Sequence, residues 1–137
     1  VFPMLMEYIS EGGNDMAVTG VAEHELYGKC PYVTVQKVLT GKWTLLIMHH
    51  LENGPLRFKE LERVLAPITQ ATLTKQVRSL ERNGLLHRSV CDQRPQKVEY
   101  SLSEIGAKFS GVLAALGEWG QDYLDYLREE GEIDTDK

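Results

Sequence analysis

The chain has 137 residues, of which 42% are hydrophobic and 26% charged. That balance suits one compact domain with a genuine core and excludes a disordered chain. No apolar run approaches the roughly 20 residues of a membrane span, no basic-then-apolar leader suggests secretion, and the two cysteines, Cys30 and Cys91, are too few for a disulfide scaffold. A soluble protein of the reducing cytoplasm is expected. The net charge of −5 is unevenly placed. Residues 1–28 carry five acids and no Lys or Arg, residues 29–102 carry twelve Lys/Arg against six acids, and residues 103–137 carry nine acids against three bases. A basic centre attracts phosphate whatever the total, because salt limits the reach of each charge to about 10 Å.

Residues 1–28 read as an acidic, partly flexible extension. Gly12-Gly13-Asn14-Asp15 is a loop signal, Met16 could be an internal start, and a short packed helix over 4–9 is the alternative. A helical pattern then begins at Cys30-Pro31, where proline suits the first helical position, and stops at Thr40-Gly41. A second helix is expected over 42–52, with Trp43, Leu46, Ile47, His50 and Leu51 on one face, ended by Asn53-Gly54-Pro55. Trp43 reads as a core anchor, with stacking on a ligand as the alternative. A third, short helix over 58–65 buries Phe58, Leu61, Val64 and Leu65 before Ala66-Pro67.

The fourth helix is the most informative. Thr69 is its N-cap, Leu73, Val77 and Leu80 form its apolar stripe, and Asn83-Gly84 closes it, Gly84 supplying a positive φ. Its other face carries Gln70, Thr72, Lys75, Gln76, Arg78, Ser79 and Arg82. The period then changes from 3.6 to about 2. Residues 86–90 and 97–102 read as two strands around a turn containing Arg94, and Tyr100 and Leu102 face the core. Ser103 caps a long final helix to about Leu127, with Phe109, Leu113, Leu116, Tyr123 and Leu127 as its apolar positions, followed by an acidic tail over 128–137.

Helices followed by a two-stranded wing define an α+β, mostly α fold, the winged helix-turn-helix, here over 29–127. In that plan the third helix positions the fourth in the major groove of double-stranded DNA. Gln70, Thr72, Lys75 and Gln76 are the candidate base readers: glutamine pairs with adenine, lysine with guanine, and the threonine methyl meets the thymine methyl. Arg57, Lys59, Thr69, Arg78 and Arg82 are candidate phosphate contacts, which fix register without reading sequence. Arg94 and Lys97 on the wing are placed for the minor groove or flanking phosphates. A solvated polar face is the bland alternative for one such helix, and a winged protein-interaction module without DNA binding is the competing function. Neither explains why the positive charge is concentrated in one stretch.

Several motifs occur in order: Cys30-Pro31, Gly41-Lys42-Trp43-Thr44, Gly54-Pro55-Leu56-Arg57-Phe58-Lys59-Glu60-Leu61, Leu73-Thr74, Leu80-Glu81-Arg82-Asn83-Gly84-Leu85, Val98-Glu99-Tyr100-Ser101-Leu102, Gly106 and Trp119-Gly120. This run, over about 29–124, resembles the HxlR-type regulators, a winged-helix family related to the MarR group. The resemblance implies a homodimeric repressor or activator, with the first and last helices forming the dimer interface; such a dimer is expected to bind an inverted-repeat operator with half-sites about one helical turn apart. Leu116, Trp119 and Tyr123 are the interface residues expected on the last helix, the two aromatics being typical anchors.

Cys30 is the candidate sensor. A thiol at a helix N-cap beside Lys29 sits near unpaired N–H groups, which favours the reactive thiolate, and the resemblance implies oxidant or electrophile sensing by such a cysteine. A buried structural thiol is the alternative, as is a small-molecule effector that needs no cysteine. Cys91 reads as a bystander or a resolving partner. No enzyme, cofactor or metal is expected: no phosphate loop or nucleophile elbow occurs, and adjacent His49 and His50 point about 100° apart on a helix.

Overall fold

The computed structural model describes residues 25–92 and 94–134. The extension expected over 1–28, its alternative helix over 4–9 included, lies outside the described residues up to position 24. The elements are α1 (Pro31–Val38), α2 (Thr44–His50), β1 (Leu56–Arg57), α3 (Phe58–Val64), α4 (Gln70–Arg82), β2 (Leu86–Cys91), β3 (Lys97–Leu102), α5 (Glu104–Ala107) and α6 (Ser110–Glu129). Two compact units divide the chain, Val1–Thr44 and Leu45–Lys137.

In the first unit α1 begins at Pro31 behind an extended Cys30, since proline's missing N–H costs nothing there. The Thr34 hydroxyl fastens the entry: it accepts from the Gly28 N–H at 2.8 Å and donates to the Cys30 carbonyl at 2.7 Å. Leu26, Cys30 and Thr44 are buried. Trp43 is only half-buried, with the Lys42 ammonium 5.4 Å from its ring centroid.

The core of the second unit is Ile47, Met48, Leu51, Leu61, Leu65, Ile68, Leu73, Val77, Leu80, Leu86 and Tyr100. Each aliphatic side chain removed from water here contributes about 1.5–3 kcal/mol. Leu46, expected to face inward, is exposed, and Met48 takes the buried place. Val64 is exposed as well, because α3 stops there and Leu65 turns inward. α4 buries the expected stripe of Leu73, Val77 and Leu80. Its end is fully capped: Gly84 has φ of 79°, its N–H bonds the Glu81 carbonyl at 3.0 Å, and the Leu85 N–H bonds the Leu80 carbonyl at 2.9 Å.

The expected two-stranded wing is part of a three-stranded antiparallel sheet in the order β1-β3-β2. β1 pairs Leu56 with Tyr100 and Arg57 with Glu99. The turn signal Asn53-Gly54-Pro55 conceals so short a strand. β2 pairs with β3 from Leu86↔Leu102 to Cys91↔Lys97, yet only Leu86 of β2 is buried. The rest of β2 is exposed, whereas β3 buries Tyr100 and half-buries all its other residues but Glu99.

The long final helix is divided. Ser103 caps only α5, and α6 starts afresh at Ser110. Two anchors explain the break. A β-carbon on buried Gly106 would overlap the Leu85 carbonyl oxygen, so α5 lies against the chain that leaves α4. At α6's first residue, the Ser110 hydroxyl donates to the Glu52 carboxylate, which also faces His49 Nδ1 at 2.9 Å. Those two bonds, Ser110's the larger, hold the Glu52 carboxyl below the usual glutamate range, against a smaller opposing effect of desolvation. α6 then runs to Glu129, two residues beyond the expected end, where Gly131 (φ 77°) terminates it. It buries none of its residues and contains Gly111, Gly117 and Gly120, each facing open space where a β-carbon would stand.

Candidate nucleic-acid interface

Thr69 has the extended backbone of an N-cap, and its Oγ1 accepts from the Thr72 N–H at 3.1 Å. The same hydroxyl donates to Thr72 Oγ1 at 2.8 Å, so the start of α4 is rigidly organised. Gln70 follows at the first helical position and is exposed. Lys75, Arg78 and Arg82, spaced at i, i+3 and i+7, form one exposed row. Thr72 and Gln76 are half-buried on the row beside it. The four expected base readers therefore do not share one row: Lys75 aligns with the arginines, while Thr72 and Gln76 border the core.

Arg57 and Lys59 are exposed at the entry to α3, where the Arg57 N–H donates to Glu60 Oε1 at 3.0 Å. On the wing, Arg94 is exposed in the turn, and Lys97 is half-buried opposite Cys91. The structure adds Arg88, exposed in β2 opposite Tyr100. Strand alternation in the sequence conceals it, because β2 beyond Leu86 is exposed on both of its faces.

Cys30 occupies the N-cap of α1 as expected, but its sulfur makes no cap hydrogen bond and the side chain is buried, with 3% exposed. The reasoning that brings the sulfur to unpaired helix N–H groups is therefore corrected: the backbone is in the cap position and the thiol is not. Cys91 is exposed. Leu116, Trp119 and Tyr123 are all exposed on α6, Trp119 at 62%. The Trp119 and Tyr123 rings stack at 5.2 Å between centroids and 8° from parallel, and Tyr126 continues the stack at 5.8 Å. Among the described residues no three His, Cys, Asp or Glu converge as a metal site, and no helix is long and apolar enough to cross a membrane.

A helix with an exposed basic row, preceded by a short helix and followed by a hairpin with further cations, defines a transcriptional regulator of the winged helix-turn-helix, DNA-binding class. The sequence profile of the HxlR-like helix-turn-helix family matches residues 38–128. The chain belongs to that family, whose members are transcriptional regulators rather than enzymes. It is 43% identical over 98 residues to the HTH-type transcriptional regulator YdeP of Bacillus subtilis, covering 72% of this chain and 77% of that one. It is 39% identical over 103 residues to an HTH-type transcriptional regulator of Methanothermobacter thermautotrophicus, covering 75% and 79%. Among solved structures, the redox regulator HypR in its reduced form superposes with a TM-score of 0.69 at 39% identity, over 73% of this chain and 99% of that one. The reduced form of the regulator YodB from B. subtilis gives 0.63 at 33% identity, over 69% and 93%.

Proposed function

We propose that the protein is a cytoplasmic homodimer that binds an inverted-repeat operator in double-stranded DNA and represses transcription. The observation that carries this reading is the exposed Lys75, Arg78 and Arg82 row on α4, opposite the buried Leu73, Val77 and Leu80. Gln70, Thr72, Lys75 and Gln76 read bases near the start of the helix. Thr69, Arg78 and Arg82, with Arg57 and Lys59 at the entry to α3, hold phosphates, and Arg94 and Lys97 bring the wing to the flanking backbone. Leu116, Trp119 and Tyr123 pack against a second copy, since an exposed aromatic stack on a helix with nothing buried calls for a partner.

The signal acts through Cys30 or through a small effector. Support for the thiol comes from HypR, described as a redox regulator in reduced and oxidised forms. Mobility-shift titration against DNA upstream of the protein's own gene tests the reading. Binding to an inverted repeat that weakens steeply with salt is expected; no shift at low salt overturns it.

A further inference from the structure

The end of the recognition helix and the start of α5, the short helix that leads into α6, are joined through one buried side chain. Ser103 is 4% exposed. Its hydroxyl donates to the carbonyl of Gly84, the residue that terminates α4, at 2.5 Å, and accepts from the Gly106 N–H at 3.0 Å. Its own N–H donates to the Leu85 carbonyl at 2.9 Å. Ser103 is thus at once the N-cap of α5 and a partner of the residues that close α4. Gly106, one turn on, lies so close to the Leu85 carbonyl that no side chain fits between them. Three residues beyond α5, Ser110 at the first position of α6 is bonded to Glu52 in the turn after α2. The four-residue α5 is therefore fixed at its start by Ser103 and Gly106, and it passes into α6 through a two-residue turn whose Lys108 and Phe109 N–H groups bond back to the Glu104 and Gly106 carbonyls at 3.2 and 3.1 Å.

We propose that Ser103 is a positioning residue for DNA binding: through α5 it fixes the direction of α4 relative to α6 without touching DNA. The proposal rests on the dimeric reading given above. If α6 is held by a second copy, the separation of the two recognition helices is set through this junction, and with it the half-site spacing the dimer accepts. An ordinary cap would steady α5 alone. A junction must transmit disturbance in both directions, because coupling between two sites is reciprocal.

Amide hydrogen exchange on the full chain, with Ser103→Ala, Ser103→Thr and Ser110→Ala, tests the coupling without any DNA. In Ser103→Ala, exchange should quicken about tenfold both at Gly84 and Leu85 and at the amides of 113–116 in α6's first turns. Ser103→Thr keeps a hydroxyl and should retain protection. Ser110→Ala alters only an exposed bond, leaves the core intact and should loosen Gly84 and Leu85 from the far end. Changes confined to the turn nearest each substitution overturn the proposal. In a second arm, the preferred half-site spacing is selected from a library of inverted repeats. Ser103→Ala should accept a wider range of spacings while sedimenting as wild type does, and an unchanged preference overturns the positioning role. If the wild-type protein selects no DNA at all, the DNA reading falls, and the exchange arm still decides whether α4 and α6 are coupled.

Discussion

Trp119 and Tyr123 stand one turn apart on α6 with their rings nearly parallel and both exposed. Two large aromatic faces held together in solvent offer a preformed, low-entropy contact surface, the kind that dominates binding energy at interfaces. Trp119→Ala should raise the dimer dissociation constant about 30-fold, the equivalent of about 2 kcal/mol. Sedimentation equilibrium measures this, and an unchanged association constant removes α6 from the interface.

Gly106 and Gly111 should respond oppositely to alanine. Gly106→Ala drives a β-carbon into the Leu85 carbonyl and should cost about 1–3 kcal/mol, the usual range for overpacking. Gly111 meets open space in a helix, so Gly111→Ala should add about 0.5–1 kcal/mol. Urea denaturation at fixed protein concentration compares them.

On α4, Gln70→Ala should change which bases are preferred, while Arg82→Ala should weaken all sequences about equally and reduce the salt slope by about 1. Titrations on matched and mismatched operators at several salt concentrations separate the two. An Arg82→Ala variant with altered sequence preference would reverse the roles assigned here.

Glu52 gives the fold an acid-sensitive contact. Its carboxyl is held below the usual glutamate range by the bonds from Ser110 and His49. The folded state therefore binds its proton less readily than the unfolded chain does. The resulting stability is fully present above the ordinary glutamate range and is lost as pH falls through the lowered folded value. Glu52→Gln should lower Tm in the neutral region, leave the acid end little changed, and so flatten the acid limb of a plot of Tm against pH. An identical acid limb in both proteins would show that other carboxylates govern it.

The two thiols should differ in kinetics. Cys91 is exposed and Cys30 is buried, so a folded sample titrated with an aromatic disulfide reagent should show one fast thiol, abolished by Cys91→Ser and unaffected by Cys30→Ser. If oxidant then releases DNA equally from wild type and Cys30→Ser, Cys30 is not the sensor.

α4 was the most legible part of the sequence, because its stripe, N-cap and closing glycine all agree, and all three occur in the structure. The winged plan was legible too, from the change of period after Gly84. What escaped was tertiary in origin. β1 is two residues long and exists only because Tyr100 and Glu99 pair with it. The break before α6 comes from contacts of Gly106 and Ser110 with residues 21 and 58 positions away in sequence. Leu46 and Met48 exchanged places because helical periodicity fixes spacing but not which side of a short helix meets the core. The Cys30 sulfur makes no cap hydrogen bond because a cap position constrains the backbone and leaves the side chain free. In the candidate interface, the separate row of Lys75, Arg78 and Arg82 could have been drawn from i, i+3, i+7 spacing alone. Arg88 could not, since only the structure shows that β2 beyond Leu86 is exposed on both of its faces.

The three glycines of α6 bear on how long the regulator lasts. Each weakens an isolated helix by about 1 kcal/mol, and no contact among the described residues requires their small size. On the dimeric reading proposed above, a lone protomer would keep this helix only marginally, and its order would depend on meeting a second copy and hence on abundance. Protomers in excess of what pairs would present a loosened segment of twenty residues to proteases, and removal of that excess would hold the pool near the level at which it dimerises.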